Sequence, residues 1–262
     1  MNKLNWMIGL SLVALPTSLN AQIPVAQSRV VLGTTANQAA PVVLELFTSQ
    51  GCSSCPPAES LLNSWGLDLF QKGKLIPLAF HVDYWNNLGW SDPFSSAAFT
   101  ARQNTYVPVL GMSSLYTPQA VFGGQTGAVG SDAGALENRL KALATIQAST
   151  GLSLKATRKN ENIELEINTT GTGTPGSDWT LNVALFENGL RTPVVRGENG
   201  GEILLENFVV RSFSRFYPVK TRQPFEIPWD SAWAKGSVGV AAYLQDRRSL
   251  RIDSSAAIYP IP

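Results

Sequence analysis

Cysteine and histidine are scarce in this chain, with two of the first and one of the second among 262 residues. A small scaffold stapled by several disulfides is therefore excluded. A closed zinc site built from Cys and His alone has too few ligands. A dominant sign of charge is also missing, with 20 Lys and Arg against 19 Asp and Glu. That balance offers no polybasic face for nucleic acid or anionic lipid, and no acidic tail. Beyond the N-terminus no apolar run is long enough to span a membrane. What remains is ordinary globular composition, 44% hydrophobic and 15% charged, sufficient for one or two cores.

The first residues, MNKLNWMIGLSLVALPTSLNAQ, place Lys3 before an apolar run from Met7 to Leu15, then Pro16 and the small Ala21. This is the order of a secretory leader, and the run is too short for a spanning helix. The expectation is a signal peptide over 1–21 cleaved near Ala21, and a mature chain that is periplasmic or secreted. No cysteine follows the apolar run, so lipid attachment at a new N-terminal cysteine is excluded.

Residues 22–40 read as a polar lead-in. From Pro41 the apolar run PVVLELFT predicts a buried strand, PPAESLLNSW a helix and KLIPLAFHVDYW a second strand. Asp92-Pro93 reads as a helix start, with the carboxylate as N-cap and proline in the first turn. LYTPQAVFGGQTGAVG suggests two short strands turning at Gly123-Gly124, followed by a helix capped by Ser131 or Asp132. This alternation predicts an α/β domain over 41–150, a mixed sheet flanked by helices. From Gly151 the apolar residues recur every second position, as in Ile163, Leu165 and Ile167, or Val238, Val240 and Ala242. That pattern predicts antiparallel strands with one face buried, and an all-β, sandwich-like domain over 151–262.

Both cysteines lie in GCSSCPP, after a strand and before a helix. A bridge between Cys52 and Cys55 closes so short a loop that it removes little entropy from the unfolded chain, so stability is a poor reason for the pair. Export allows the pair to oxidise. The spacing suits thiol–disulfide exchange, with Cys52 accessible and attacking and Cys55 resolving the mixed disulfide. Thr117-Pro118, at a strand start, is expected to be cis and to hold an extended substrate beside the cysteines. His81, Asp83 and Trp85 fall on or just after the second strand, at the carboxyl ends where ligands of such sheets gather. They are auxiliary candidates. Glu45, seven positions before Cys52, is a candidate buried acid for the resolving thiol.

ELFTSQGCSSCPPAE, HVDYWNNLGWSDPF, ARQNTYV, YTPQAVFGG, RGENGG and NFVVRS together resemble a secreted bacterial family catalogued as domain of unknown function twelve twenty-three. The resemblance implies a thioredoxin-like first domain, a β-rich second one, and export. On it, Cys52 and Cys55 correspond to the redox pair and Pro118 to the cis-proline.

The leading expectation is an exported thiol–disulfide oxidoreductase acting on protein or peptide thiols and disulfides, with no cofactor. Two alternatives stay open. One is a redox-inert binding protein with a closed Cys52–Cys55 bridge and a partner for its β-rich part. The other is a copper or zinc carrier using Cys52, Cys55 and His81, with Asp83 as a further ligand.

Overall fold

Strands Val42–Thr48 and Leu75–His81 are buried at every residue. They lie parallel, Val42 opposite Leu75 and Thr48 opposite His81. Parallel neighbours covered on both faces read as continuous apolar runs, which is what VVLELFT and LIPLAFH are. Because both end at the same edge, the segments that follow them, Ser49 to Cys55 and Val82 to Asp92, emerge side by side.

The computed structural model describes residues 29–171, 178–234 and 236–262. The expected leader over 1–21 and its cleavage near Ala21 lie outside the described residues. In chain order the elements are β1 (Val30–Leu32), β2 (Val42–Thr48), α1 (Pro56–Leu61), a π-helical segment (Leu62–Gly66), α2 (Leu67–Gln71) and β3 (Leu75–His81). They continue with α3 (Ala97–Val109), β4 (Gln119–Phe122), β5 (Thr126–Val129), α4 (Ala133–Leu143), β6 (Gly151–Lys159), β7 (Asn162–Thr170) and β8 (Trp179–Glu187). Last come β9 (Leu190–Pro193), β10 (Ile203–Glu206), β11 (Val209–Phe216), β12 (Arg222–Pro228), β13 (Val238–Asp246) and β14 (Ile252–Tyr259).

The expected helix-flanked α/β sheet followed by a separate β-sandwich is not what forms. The protein is mostly β, and one nine-stranded mixed sheet in the order β1-β14-β13-β8-β11-β3-β2-β4-β5 takes strands from both halves of the chain. The join is β11, parallel to β3 at Val209 and Ala79 and antiparallel to β8. The Ala79 amide donates to the Phe208 carbonyl at 2.8 Å. A fully buried strand needs a partner on each edge for its backbone groups. β3 takes β2 on one side and β11 on the other. Hydrophobic pattern reports burial but carries no signal for which distant strand supplies that edge.

The period-two reading holds for β6 and β7, whose alternate residues are exposed or half-buried. It needs correcting for β8 and β13, which bury nearly every residue, as does β14 beside them. Leu181, Val183 and Leu185 of β8 pack with Leu154, Ile163 and Ile167 of the small β12-β7-β6 sheet. The opposite-facing Ala184 and Phe186 join the core around Phe70, Phe80 and Phe208. A strand between two cores loses the wet face on which alternation depends.

The helix expected to start at Asp92 starts at Ala97. Ser96 is the N-cap, its hydroxyl accepting from the Ala98 amide. Asp92 is instead buried and turned toward β3. Asp132 does cap α4, accepting from the Ala135 amide.

Candidate functional site

The loop from Ser49 to Cys55 follows β2, and Cys55 leads into α1, its carbonyl accepting from the Ala58 and Glu59 amides. Pro56 and Pro57 fill the first helical positions, where a missing N–H leaves no orphan donor. Cys52 and Cys55 are joined by a disulfide. The sequence expectation of an accessible Cys52 is not met, since Cys52 is 0% exposed and Cys55 1%.

Side chains distant in sequence account for that cover. The Thr117 hydroxyl donates to Cys52 Sγ at 3.2 Å and itself accepts from the Trp85 indole Nε1 at 2.9 Å. Ser54 Oγ lies 3.3 Å from the same sulfur. The Thr117–Pro118 bond is cis. From the far half of the chain, Asn199 donates to the carbonyls of Gln50 and Cys52, and Glu198 accepts from the Ser53 amide. This loop seats on Trp90 through Gly197, where φ is +84° and a Cβ would stand 2.9 Å from the Trp90 Cβ. Only glycine suits both that backbone and that approach.

Beneath the disulfide lies a buried polar cluster. Asp92 Oδ2 accepts from the Gln50 amide at 2.8 Å and pairs with His81 Nδ1 at 2.7 Å. Gln50 donates to Glu206 Oε2 at 2.7 Å and accepts from Trp90 Nε1 at 3.0 Å. Glu206 Oε1 is 3.9 Å from His81 Nε2. Burial alone disfavours the imidazolium, yet Asp92, Glu206 and Glu59 around it raise His81 to about 9. Asp92 is held below its ordinary value despite burial by His81 and by its amide donors. Burial pushes Glu206 up to about 8 and raises Glu59, with His81 opposing both.

These shifts set a pH dependence of stability. His81 titrates higher folded than its ordinary 6.5, so its contribution is full below 6.5 and lost as pH rises through about 9. Glu206 also binds its proton more tightly when folded, so stability falls between 4.5 and about 8 as the unfolded carboxyl ionises first. The urea midpoint is therefore expected to decline from mildly acidic to alkaline pH. A wild-type midpoint climbing across that window would contradict the assignment.

Two sequence candidates lie elsewhere. Glu45 pairs with the guanidinium of Arg102 at 2.7 Å and accepts from the hydroxyls of Tyr106 and Tyr243. Asp83 exchanges hydrogen bonds with Thr100 on α3. Thr117 and Trp85 gather at Cys52, Pro118 follows Thr117 across the cis bond, and His81 connects to the cysteine loop through Asp92 and the Gln50 amide. Gln50, Glu59, Asn199 and Glu206 were missed. Single polar residues in apolar or loop context carry no signal until the tertiary fold assembles them.

A cleft of about 620 Å³ opens beside Cys55, between α1 and β10, with Glu59, Asn63 and Glu206 in its wall. Among the described residues no group of three or more His, Cys, Asp or Glu is arranged to hold a metal ion. No helix there is long and apolar enough to cross a membrane.

A family profile described as "Protein of unknown function (DUF1223)" matches residues 43–245. Among solved structures, protein AGR_C_4864 of Agrobacterium tumefaciens is similar at 28% identity and a TM-score of 0.61, over 86% of this chain and 96% of that one. HBP35 of Porphyromonas gingivalis is similar in fold, at 14% identity and a TM-score of 0.62, over 85% of this chain and 76% of that one. Among curated proteins no sequence matches.

Proposed function

For this chain, which belongs to the DUF1223 family of proteins of unknown function, we propose an exported thiol–disulfide oxidoreductase acting on protein or peptide cysteines through Cys52 and Cys55. The observation that carries the reading is the chain of donors onto one sulfur. Thr117 Oγ1 accepts the Trp85 N–H, which leaves its own proton directed at Cys52 Sγ. A disulfide sulfur is a weak acceptor and a thiolate a strong one, so this contact favours the reduced, ionised form of Cys52. Export rests on the leader-like segment over 1–21 and suits a bridge that forms in an oxidising compartment.

In the reduced protein the Cys52 thiolate attacks a substrate disulfide. A Cys52–substrate bond forms, and the departing substrate sulfur leaves with the electron pair and takes a proton. Cys55, deprotonated, then attacks Cys52 Sγ, restoring the intramolecular bridge and releasing the second substrate thiolate. The substrate is reduced and the pair oxidised; the reverse sequence oxidises a substrate dithiol. The burial of both cysteines favours a second reading, a binding protein whose bridge stays closed.

Thiolate chemistry separates the two. Alkylation of the reduced protein followed against pH should report a Cys52 pKa below the ordinary thiol value of about 8.5. Thr117→Val keeps the shape but removes the donor, and should raise that pKa by about one unit. A reduced Cys52 that resists alkylation, or a profile unmoved by the substitution, sinks the oxidoreductase reading.

A further inference from the structure

The cleft beside Cys55 is furnished for a ligand it does not resemble. Both carboxylate oxygens of Glu59 and the Oδ1 of Asn63 are buried in its wall with no hydrogen-bond partner, the Thr48 hydroxyl being the donor that faces Glu59. Asn63 is fixed in this sense because its amide nitrogen is used on the Leu205 carbonyl at 2.6 Å. Buried polar atoms are ordinarily paired, and three acceptors left open in one wall point to a missing partner. Each of the three accepts, so the complementary group is rich in donors.

Charge agrees with that. Facing one another here are Glu59 from α1, His81 from β3, Asp92 from the loop before α3 and Glu206 from β10. One imidazolium serves three carboxyls, and its short contact is to Asp92. Glu59 and Glu206 have no Lys or Arg partner among the described residues, and Glu202 adds a carboxyl at the cleft mouth. No Lys or Arg lines the cleft. Burial accordingly drives Glu59 and Glu206 toward the protonated state, a cost that an arriving cation relieves. With no metal-holding group of ligands among the described residues, and with room for a side chain, an organic cation suits the space.

We propose that this cleft is a specificity subsite for a guanidinium or ammonium side chain of the polypeptide presented to the cysteine pair. The link to a polypeptide rests on the oxidoreductase reading; the preference for an organic cation does not. A guanidinium brings five donors and no acceptor, which matches a wall of open acceptors.

The test uses the oxidised full chain and capped, cysteine-free peptides identical except for one position carrying Arg, Lys, Gln or Glu, with binding followed by calorimetry. The Arg and Lys peptides should bind at least about tenfold tighter than the Gln peptide, as expected for a charge-assisted contact. Glu59→Gln should remove most of that preference. Glu202→Gln, at an exposed position, should weaken it about twofold to threefold and guards against a folding defect in the first variant. Equal affinity for Arg and Gln peptides in the wild type overturns the subsite, as does stoichiometric displacement of the Arg peptide by calcium or zinc. Cysteine-bearing disulfide versions of the same peptides separate the two readings. Absence of exchange with every peptide, alongside intact Arg selectivity, upholds the subsite and removes the oxidoreductase.

Discussion

Replacing Cys55 with alanine is expected to convert the protein into a covalent trap that accumulates mixed disulfides on Cys52 and loses turnover. The second sulfur is the only thiol positioned to resolve such an intermediate, because the chain has no other cysteine. The Cys52 thiolate would keep its stabilising donor, since the Thr117 hydroxyl that reaches it, and the Trp85 indole that donates to that hydroxyl, belong to other segments of the chain. Non-reducing electrophoresis of the tagged variant from an exporting host, followed by peptide mapping, measures the result. The converse variant, Cys52→Ala, should trap far less. Its remaining sulfur lacks the Thr117 donor and so ionises less readily. Equal trapping by both variants, or none by either, would remove the assigned roles. A wild-type dithiol potential far below the glutathione poise would instead support the closed-bridge reading.

The second large effect concerns stability. Arg102 on α3 is buried, and its guanidinium donates to Glu45 on β2, to the Tyr106 hydroxyl, and to the Tyr243 hydroxyl and Gln245 Oε1 on β13. Burial opposes its charge, but Glu45 beside it more than restores the cation and raises its pKa. Burial together with Glu45 pushes the Tyr106 and Tyr243 hydroxyls up, so they stay neutral donors. Arg102→Ala leaves Glu45 buried and uncompensated, and is expected to cost about 3–5 kcal/mol. That is a large share of the roughly 5–15 kcal/mol that ordinarily separates folded from unfolded chains. Urea titration reads it as a lowered midpoint at unchanged slope. Substituting both residues together with methionine should recover much of the loss, since the strongest penalty comes from one orphaned charge. A deficit below about 1 kcal/mol in the single variant would show that water reaches Glu45.

That cluster also explains why Glu45 was misleading as a sequence feature. Its position before the cysteines suggests an acid beneath them, but successive strand residues point to opposite faces. Arg102, Tyr243 and Gln245 occupy the side it faces. The carboxyl on the cysteine side is Glu59, four residues after Cys55 and on the same face of the helix path. The helix start expected at Asp92 fails for a related reason. Asp-Pro is a good helix start locally, and the buried His81 on β3 competes more strongly for the same carboxylate.

The amino-acid sequence by itself determined what depends on neighbours along the chain. The cysteine pair between strand and helix, the runs that become β2 and β3, the Asp132 cap and the alternation of β6 and β7 all follow from local spacing and period. Tertiary structure alone decided what depends on partners far apart. β11 joins β3, Asn199 and Glu198 close over the cysteine loop, and Glu206 meets His81 across 125 positions. The physical reason is that hydrophobic periodicity says which face of an element is buried. It says nothing about which polar group is waiting on the other side.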